Sequence, residues 1–194
     1  FSMKSIPFSI EKFSYVVSEE QIDVSSIPPL VRRKLSLLDK VALTTMVKLF
    51  EPDKVDEIVF SSEFGEFSRL DCLIEQYQEF KETSPAVFSA SVHNYPVGFF
   101  TQFNKLDIPY YALSSGENSL SAGLIKSINK RTLFTYADVF GGIASVSCLI
   151  NPNKNKMEFL VGNYKNYNFE AFIEFLNGNR DCFMSEFGIF RYSN

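Results

Sequence analysis

Residues 91–128 read SVHNYPVGFFTQFNKLDIPYYALSSGENSLSAGLIKSI and contain three structural signals in succession. An apolar stretch with helical spacing begins near Pro96, which a helix tolerates in its first turn. Tyr110–Leu113 is short, aromatic and apolar and directly follows a proline, as is typical of a strand. Small residues at 114–116 and one exposed turn residue, Glu117, then lead into a second helical pattern with apolar residues four apart. This order predicts an α/β unit in which a tight turn joins a strand to a helix.

Strand and helix patterns alternate along the rest of the chain. Helical patterns occur at Leu37–Leu49, 66–80, 96–104, 119–128 and Phe169–Leu176. Strand-like runs occur at 55–62, Tyr110–Leu113, 132–137 and 144–150, with edge strands expected within residues 1–28 and at 187–192. Ser36 and Asn94 are placed to cap the helices that follow them. Strands that alternate with helices and end in two consecutive strands predict an α/β fold, a mixed sheet with helices packed on it.

The length and composition fit one globular domain spanning residues 1–194. Apolar residues make up 45% of the chain and charged residues 22%, which allows a full hydrophobic core. The 21 Phe and 9 Tyr residues, without any Trp, have two interpretations. They either fill the core, or some of them cover a partner surface, namely Phe99, Phe100, Tyr110 and Tyr111. The helix at 66–80 is amphipathic, and its apolar side carries Leu70, Leu73, Ile74, Tyr77 and Phe80.

The charge balance argues against non-specific binding to nucleic acid, which needs a basic face. The net charge is −4 and the isoelectric point is near 5.1. The one basic cluster, Arg32-Arg33-Lys34, is interpreted either as a solvated helix face or as a contact for an acidic protein. No apolar run approaches 18 residues, so no membrane span is expected.

The residues that bind metals and cofactors are sparse. Cys72, Cys148 and Cys182 lack a CxxC spacing, which predicts free thiols in a reducing cytoplasm, with Cys148 buried in an apolar run. A single histidine and scattered cysteines offer no metal-ligand spacing. No phosphate-binding glycine loop is present, since Gly141-Gly142 reads as a turn. The sequence therefore predicts neither a metal nor a cofactor.

The segment at 91–128 resembles the N-terminal half of a β-ketoacyl synthase of the thiolase-like superfamily. The resemblance rests on Asn94 followed by Gly98, on Ile108-Pro109 before a strand, and on the strand–turn–helix elbow. It covers roughly residues 30–150. The strings SPAVFSASVHN and SSGENSLSAGL are similar to those of short, chain-length-factor-like members. The resemblance implies a single thiolase-like half with the order βαβαβαββ, which leaves uncovered the surface that would pack on a second half.

The resemblance also implies a role. The active cysteine of the family falls on Glu117, and a carboxylate does not attack a thioester as a thiolate does. The family's two catalytic histidines and its lysine belong to the second half. The implied protein is a non-catalytic partner that forms a heterodimer with a ketosynthase in fatty acid, polyketide or aryl polyene biosynthesis. Acyl carrier protein is a further implied partner, and the segments around Phe99 and Tyr110 are expected to supply the heterodimer interface.

The candidate site is the elbow. Gly116 supplies the tight turn, and Asn118 or Ser119 would satisfy backbone amides at the helix start. The helix dipole favours an anion at Glu117, which gives a structural reason for a carboxylate there. His93, the only histidine, is either a base beside Glu117 or a hydrogen-bonded turn residue.

Three alternatives to the non-catalytic partner remain open. The chain is alternatively a small acyl-thioester hydrolase or decarboxylase that uses His93 or Glu117 as a base. A hydrolase triad of Ser115, His93 and Asp138 is formally possible, although Ser115 lacks the GxSxG context. The plainest alternative is a thiolase-like scaffold that binds no acyl ligand.

Overall fold

The computed structural model describes residues 5–193, and its eight strands form one mixed sheet. The strands are β1 (Ser5–Val16), β2 (Glu57–Ser61), β3 (Tyr110–Leu113), β4 (Thr132–Asp138), β5 (Ala144–Asn151), β6 (Met157–Val161), β7 (Cys182–Ser185) and β8 (Gly188–Tyr192). The helices are α1 (Pro29–Arg32), α2 (Leu37–Leu49), α3 (Phe67–Phe80), α4 (Pro85–Ala90), α5 (Tyr95–Phe103), α6 (Ser119–Ser127) and α7 (Phe169–Leu176), with 3₁₀ turns at Glu19–Gln21 and Pro52–Lys54. Across the sheet the strands run in the order β3-β2-β4-β5-β1-β6-β8-β7.

The first five strands form the predicted thiolase-like half. Strand β2 pairs in parallel with β3 on one side and with β4 on the other. Strand β5 is antiparallel to both β4 and β1, so the other four strands all run in one direction. The chain order β1-α-β2-α-β3-α-β4-β5 is the expected βαβαβαββ, and the predicted fold class is confirmed.

The sheet continues beyond β1 in a way that the sequence patterns did not predict. The 12-residue strand β1 pairs with β5 along Ser9–Val16 and with β6 along Ser5–Phe8, so it is central and the expectation of an edge strand is wrong. Strand β8 was also expected at an edge, but it lies between β6 and β7. A single strand's side-chain pattern reports which faces are buried, whereas its hydrogen-bonding neighbours come from distant parts of the chain.

Helices cover both faces of the sheet. On one face α2 and α5 pack on side chains such as Phe60 and Leu133. On the other face α6 and α7 pack into a cluster that includes Phe134, Phe172 and Phe175, and all three of these side chains are fully buried. Leu133 and Phe134 are neighbours in β4, and their side chains lie in the cores on opposite faces of the sheet, as strand geometry requires. Helices α6 and α7 thus cover this second face, since residues of both belong to the same buried cluster.

Local features follow the sequence in some places and depart from it in others. Ser36 forms a capping box with Asp39 at the start of α2, as its position predicted. Asn94 makes no side-chain capping bond. Its Nδ2 instead donates to the Tyr110 hydroxyl at 3.4 Å, which corrects the predicted capping role. Phe100 is buried in the core, so it does not cover a partner surface, whereas Tyr110 and Tyr111 are exposed.

Cys148 is fully buried as predicted, and burial raises the pKa of its thiol. Within residues 5–193 no helix is long and apolar enough to cross a membrane.

Candidate functional site

The elbow between β3 and α6 is a tight turn closed by its own hydrogen bonds. Gly116 has φ +55°, a conformation that disfavours residues with a Cβ atom. The Ser119 hydroxyl accepts from the Ser115 amide at 2.9 Å and donates to the Gly116 carbonyl at 2.7 Å. The Asn118 amide donates to the Ser115 carbonyl at 3.1 Å. These bonds hold the Glu117 backbone in one position at the start of the helix.

Glu117 lines a small pocket of about 260 Å³ at the carboxyl ends of the parallel strands β2, β3 and β4. Such ends are where open α/β sheets place their ligand sites. The pocket lining consists of Glu63, Glu117, Tyr136, Asn166, Tyr167, Asn168 and Phe169. Glu63 and Tyr136 were missed at the sequence level. Glu63 directly follows the run at 55–62 that was predicted as a strand. Its position at a strand end was the sequence signal that could have identified it as a site residue.

The pocket has a strongly acidic electrostatic environment. Burial raises the pKa of the Glu63 carboxyl, and the nearby charges of Asp138 and Glu117 raise it further. Burial likewise raises the pKa of the Tyr136 hydroxyl, with Asp138 as the next cause. None of the seven lining residues carries a positive charge. An anionic group such as a malonyl carboxylate therefore meets repulsion here.

Asp138 anchors the loop that carries Glu63. Its carboxylate accepts from the Ser62 hydroxyl at 2.6 Å, from the Glu63 amide at 2.8 Å and from the Phe64 amide at 3.0 Å. The loop at residues 62–64 thus supplies the hydrogen-bond donors for the buried Asp138 carboxylate, which indicates a structural role for Asp138.

His93 lies outside the pocket lining and does not assemble a triad. Its Nε2 lies 2.8 Å from the Leu113 carbonyl oxygen, so Nε2 carries the proton in this contact, and the ring packs 5.9 Å from Phe60. Among residues 5–193 no hydrogen bond joins any two of Ser115, His93 and Asp138. The triad of Ser115, His93 and Asp138 that the sequence formally allowed is therefore not formed. His93 instead donates its ring proton to the Leu113 carbonyl at the end of β3.

A clasp from the C-terminal part of the chain covers the elbow, and no sequence pattern indicated it. The clasp consists of Asn166, which donates through Nδ2 to Asn118 Oδ1, and of Glu186, whose Oε2 accepts from Asn118 Nδ2 at 3.0 Å. The Glu186 amide in turn donates to Asn166 Oδ1 at 2.8 Å. Asn118 thus binds the clasp, and its side chain does not satisfy amides at the helix start as expected.

Within the described range 5–193, no cluster of three or more His, Cys, Asp or Glu residues is suited to a metal ion. The pocket residues instead offer carboxylate, amide and phenol groups.

The fold is shared with components of ketosynthase assemblies. The structure of a ketosynthase (ApeO) in complex with its chain length factor (ApeC), from Xenorhabdus doucetiae, matches with a TM-score of 0.77 at 20% identity, covering 97% of this chain and 99% of that chain. The ishigamide ketosynthase/chain length factor matches with a TM-score of 0.59 at 12% identity, covering 72% of this chain and 51% of that chain. No curated protein matches significantly. The family model for the N-terminal domain of β-ketoacyl synthase matches residues 10–131. The chain therefore belongs to the β-ketoacyl synthase N-terminal domain family.

Proposed function

We propose that this protein is a non-condensing, chain-length-factor-like partner of a ketosynthase. The observation that carries the proposal is Glu117, which stands at the elbow where the family resemblance places the nucleophilic cysteine. A carboxylate there does not form the thioester that condensation needs. Glu63 in the same pocket adds a second acidic group, so the pocket also disfavours the anionic extender substrate.

Two features support the partnership. The fold matches, almost end to end, a chain from a complex of a ketosynthase with its chain length factor. In addition, β3 pairs only with β2 among the described strands, which leaves its outer edge open beside the elbow. An open edge with exposed Tyr110 and Tyr111 fits a partner that adds its own strand and packs on the two rings.

The proposal extends to the biological setting. The pair would act in the cytoplasm in fatty acid, polyketide or aryl polyene biosynthesis, with acyl carrier protein delivering the acyl groups. Residues 1–194 would act as one domain that shapes the acyl tunnel or the docking of the carrier protein. Glu117, Asn94 and the elbow residues Ser115, Gly116, Asn118 and Ser119 would line or support the surface facing the partner.

An acylation assay tests the non-condensing assignment. We expect that the isolated protein, incubated with acyl and malonyl thioesters, keeps its unmodified intact mass and releases no free thiol above the buffer rate. A complete ketosynthase treated in parallel serves as the positive control and gains the acyl mass. A stable adduct on this chain, or thioester turnover that is lost in His93→Ala or Glu117→Ala, would favour the hydrolase or decarboxylase alternative and overturn the proposal.

A further inference from the structure

Helix α3 carries an apolar stripe that faces solvent. Phe67, Leu70, Ile74 and Tyr77 are separated by three, four and three residues, which aligns them along one side of the helix. Each of the four is between 45% and 57% exposed, and only Leu73 of this helix is buried. The apolar side of an amphipathic helix usually packs into the core, so the exposure of this one needs a physical explanation.

The stripe is part of a larger apolar surface. At its start the Phe67 ring lies 5.1 Å from that of Phe140, which lies 4.5 Å from that of Phe64, and all three rings are more than 40% exposed. From Phe67 to Tyr77 the helix rises about 15 Å. Contiguous apolar surface of this extent on a protein commonly marks an interaction site.

The helix that presents the stripe is held firmly at its start. The Arg69 guanidinium bonds to Asp39 at 2.9 Å, to Glu66 at 3.1 Å and to the Ala90 carbonyl at 2.8 Å. It also lies 4.7 Å from the centre of the Tyr95 ring. Arg69 therefore ties α3 to α2, α4 and α5, so the stripe is a preorganised surface on an anchored helix.

Charge distinguishes between possible occupants. Asp71, Glu75 and Glu79 are exposed on α3, whereas the cation within the helix, Arg69, is already paired. Lys81 follows at the C-terminal end, with its Nζ 5.7 Å from the centre of the Tyr77 ring, so the acidic groups still outnumber the free cation. Two copies packed through this stripe would bring like charges together, which is unfavourable. A helix with Lys or Arg beside its apolar residues would instead gain complementary charges.

Direct contacts connect the N-terminal end of α3 to the β3 edge of the sheet. Tyr95, which lies under Arg69, packs 6.3 Å from Phe99 on α5. The adjacent Asn94 contacts the Tyr110 hydroxyl on β3. The strand edge that the proposed function assigns to the ketosynthase therefore continues through α5 toward α3.

We infer that the stripe of Phe67, Leu70, Ile74 and Tyr77 docks an amphipathic helix of the ketosynthase subunit, with Lys or Arg flanking the apolar residues of that helix. This inference rests on the proposed function. It adds a second contact region to the one at β3, and it states the chemistry of the partner surface.

The test combines hydrogen exchange with matched variants in the co-expressed complex. We expect the amides of α3 to exchange more slowly in the complex than in the free protein. Ile74→Glu should weaken binding of the ketosynthase at least tenfold, whereas Val47→Glu, an equally accessible apolar position on α2, should not. Glu75→Lys should also weaken binding, and the loss should shrink at high salt because it is electrostatic.

Three other outcomes would each contradict the inference, and one of them would also contradict the proposed function. A complex that protects β3 but leaves α3 exchanging freely would overturn this inference and leave the proposed function intact. A wild-type chain that forms no complex would overturn both. Self-association of the isolated chain that is abolished by Ile74→Glu would show that the occupant is a second copy, which also contradicts the inference.

Discussion

At the residue scale, Asp39 and Glu66 form a buried pair of carboxyl groups that share one cation, Arg69. Burial and, second, the nearby Asp39 charge raise the pKa of Glu66 to about 8. Burial also raises the pKa of Asp39. Asp39 Oδ1 and Glu66 Oε2 lack a hydrogen-bond partner, as expected where a proton lies between two carboxyl groups. The pair is therefore protonated at least once at neutral pH.

This pair predicts a loss of stability as pH rises. The folded protein holds the Glu66 proton more tightly than the unfolded chain, so the contribution of Glu66 to stability is fully present below pH 4.5 and is lost as pH rises to about 8. We expect Glu66→Gln, which carries no charge, to raise the melting temperature at pH 8 by about 2–4 °C and to flatten its decline between pH 5 and 8. Glu79→Gln, at an exposed position on α3, is the control. An unchanged slope in Glu66→Gln would contradict the shared proton.

Glu117 gives a second prediction at this scale. If the carboxylate only interacts with the start of α6, Glu117→Gln should change stability by no more than the helix-dipole range of about 0.3–1 kcal/mol. The loss is partly offset because repulsion between Glu117 and Glu63 is removed. In the proposed role, however, the same variant in a reconstituted ketosynthase pair should change product yield or chain length. Thermal melts and product mass spectrometry measure the two effects separately, and an unchanged product profile would assign Glu117 a structural role.

At the element scale, α1 and the residues that follow it form a basic corner. Arg32, Arg33 and Lys34 make no ion pair with any of residues 5–193. Leu30 beside them is 75% exposed, the highest value among the large apolar side chains of the described range. Nine of the fifteen other Lys and Arg residues within 5–193 are engaged in salt bridges, so these three adjacent cations form an available positive surface on an acidic protein.

We predict that acyl carrier protein docks at this basic corner. We expect the double variant Arg32→Glu and Arg33→Glu to weaken binding of a carrier protein at least tenfold at low salt, with a smaller effect at high salt. Lys156→Glu with Lys165→Glu reverses the same number of charges elsewhere and should bind normally. Titration calorimetry at two salt concentrations measures both effects. Equal losses in the two double variants would show that only net charge matters.

At the scale of the whole molecule, helices cover both faces of the sheet, and β3 and β7 are its two edge strands. We expect a ketosynthase to use the β3 edge, which lies beside the elbow, together with the neighbouring helices. We expect co-expression to yield a stable one-to-one heterodimer that buries on the order of 2,000 Å². Light scattering coupled to size exclusion measures its mass. A chain that elutes as a monomer despite an abundant ketosynthase partner would contradict the proposed pairing.

The sequence alone determined the elements whose signals are local. Helix α2 begins at Leu37 because Ser36 and Asp39 cap each other, and β3 has the predicted bounds because YYAL is a short apolar run. Helix α7 has the predicted bounds because Asn168 caps its start and its apolar residues repeat with helical spacing. The position of Glu117 at the elbow also followed from neighbouring residues. Capping, periodicity and turn chemistry act over a few residues, so they can be read without the fold.

Only the tertiary structure decided the features that depend on distant partners. Strand β1 is central because residues at least 129 positions away pair with both of its sides. The contact of Asn166 and Glu186 with Asn118 joins residues far apart in sequence. The apolar stripe of α3 has the pattern of a buried face, yet it is exposed because no element of the described chain packs on it. A periodic pattern shows which side of a helix is apolar, and only the assembled fold shows what covers that side.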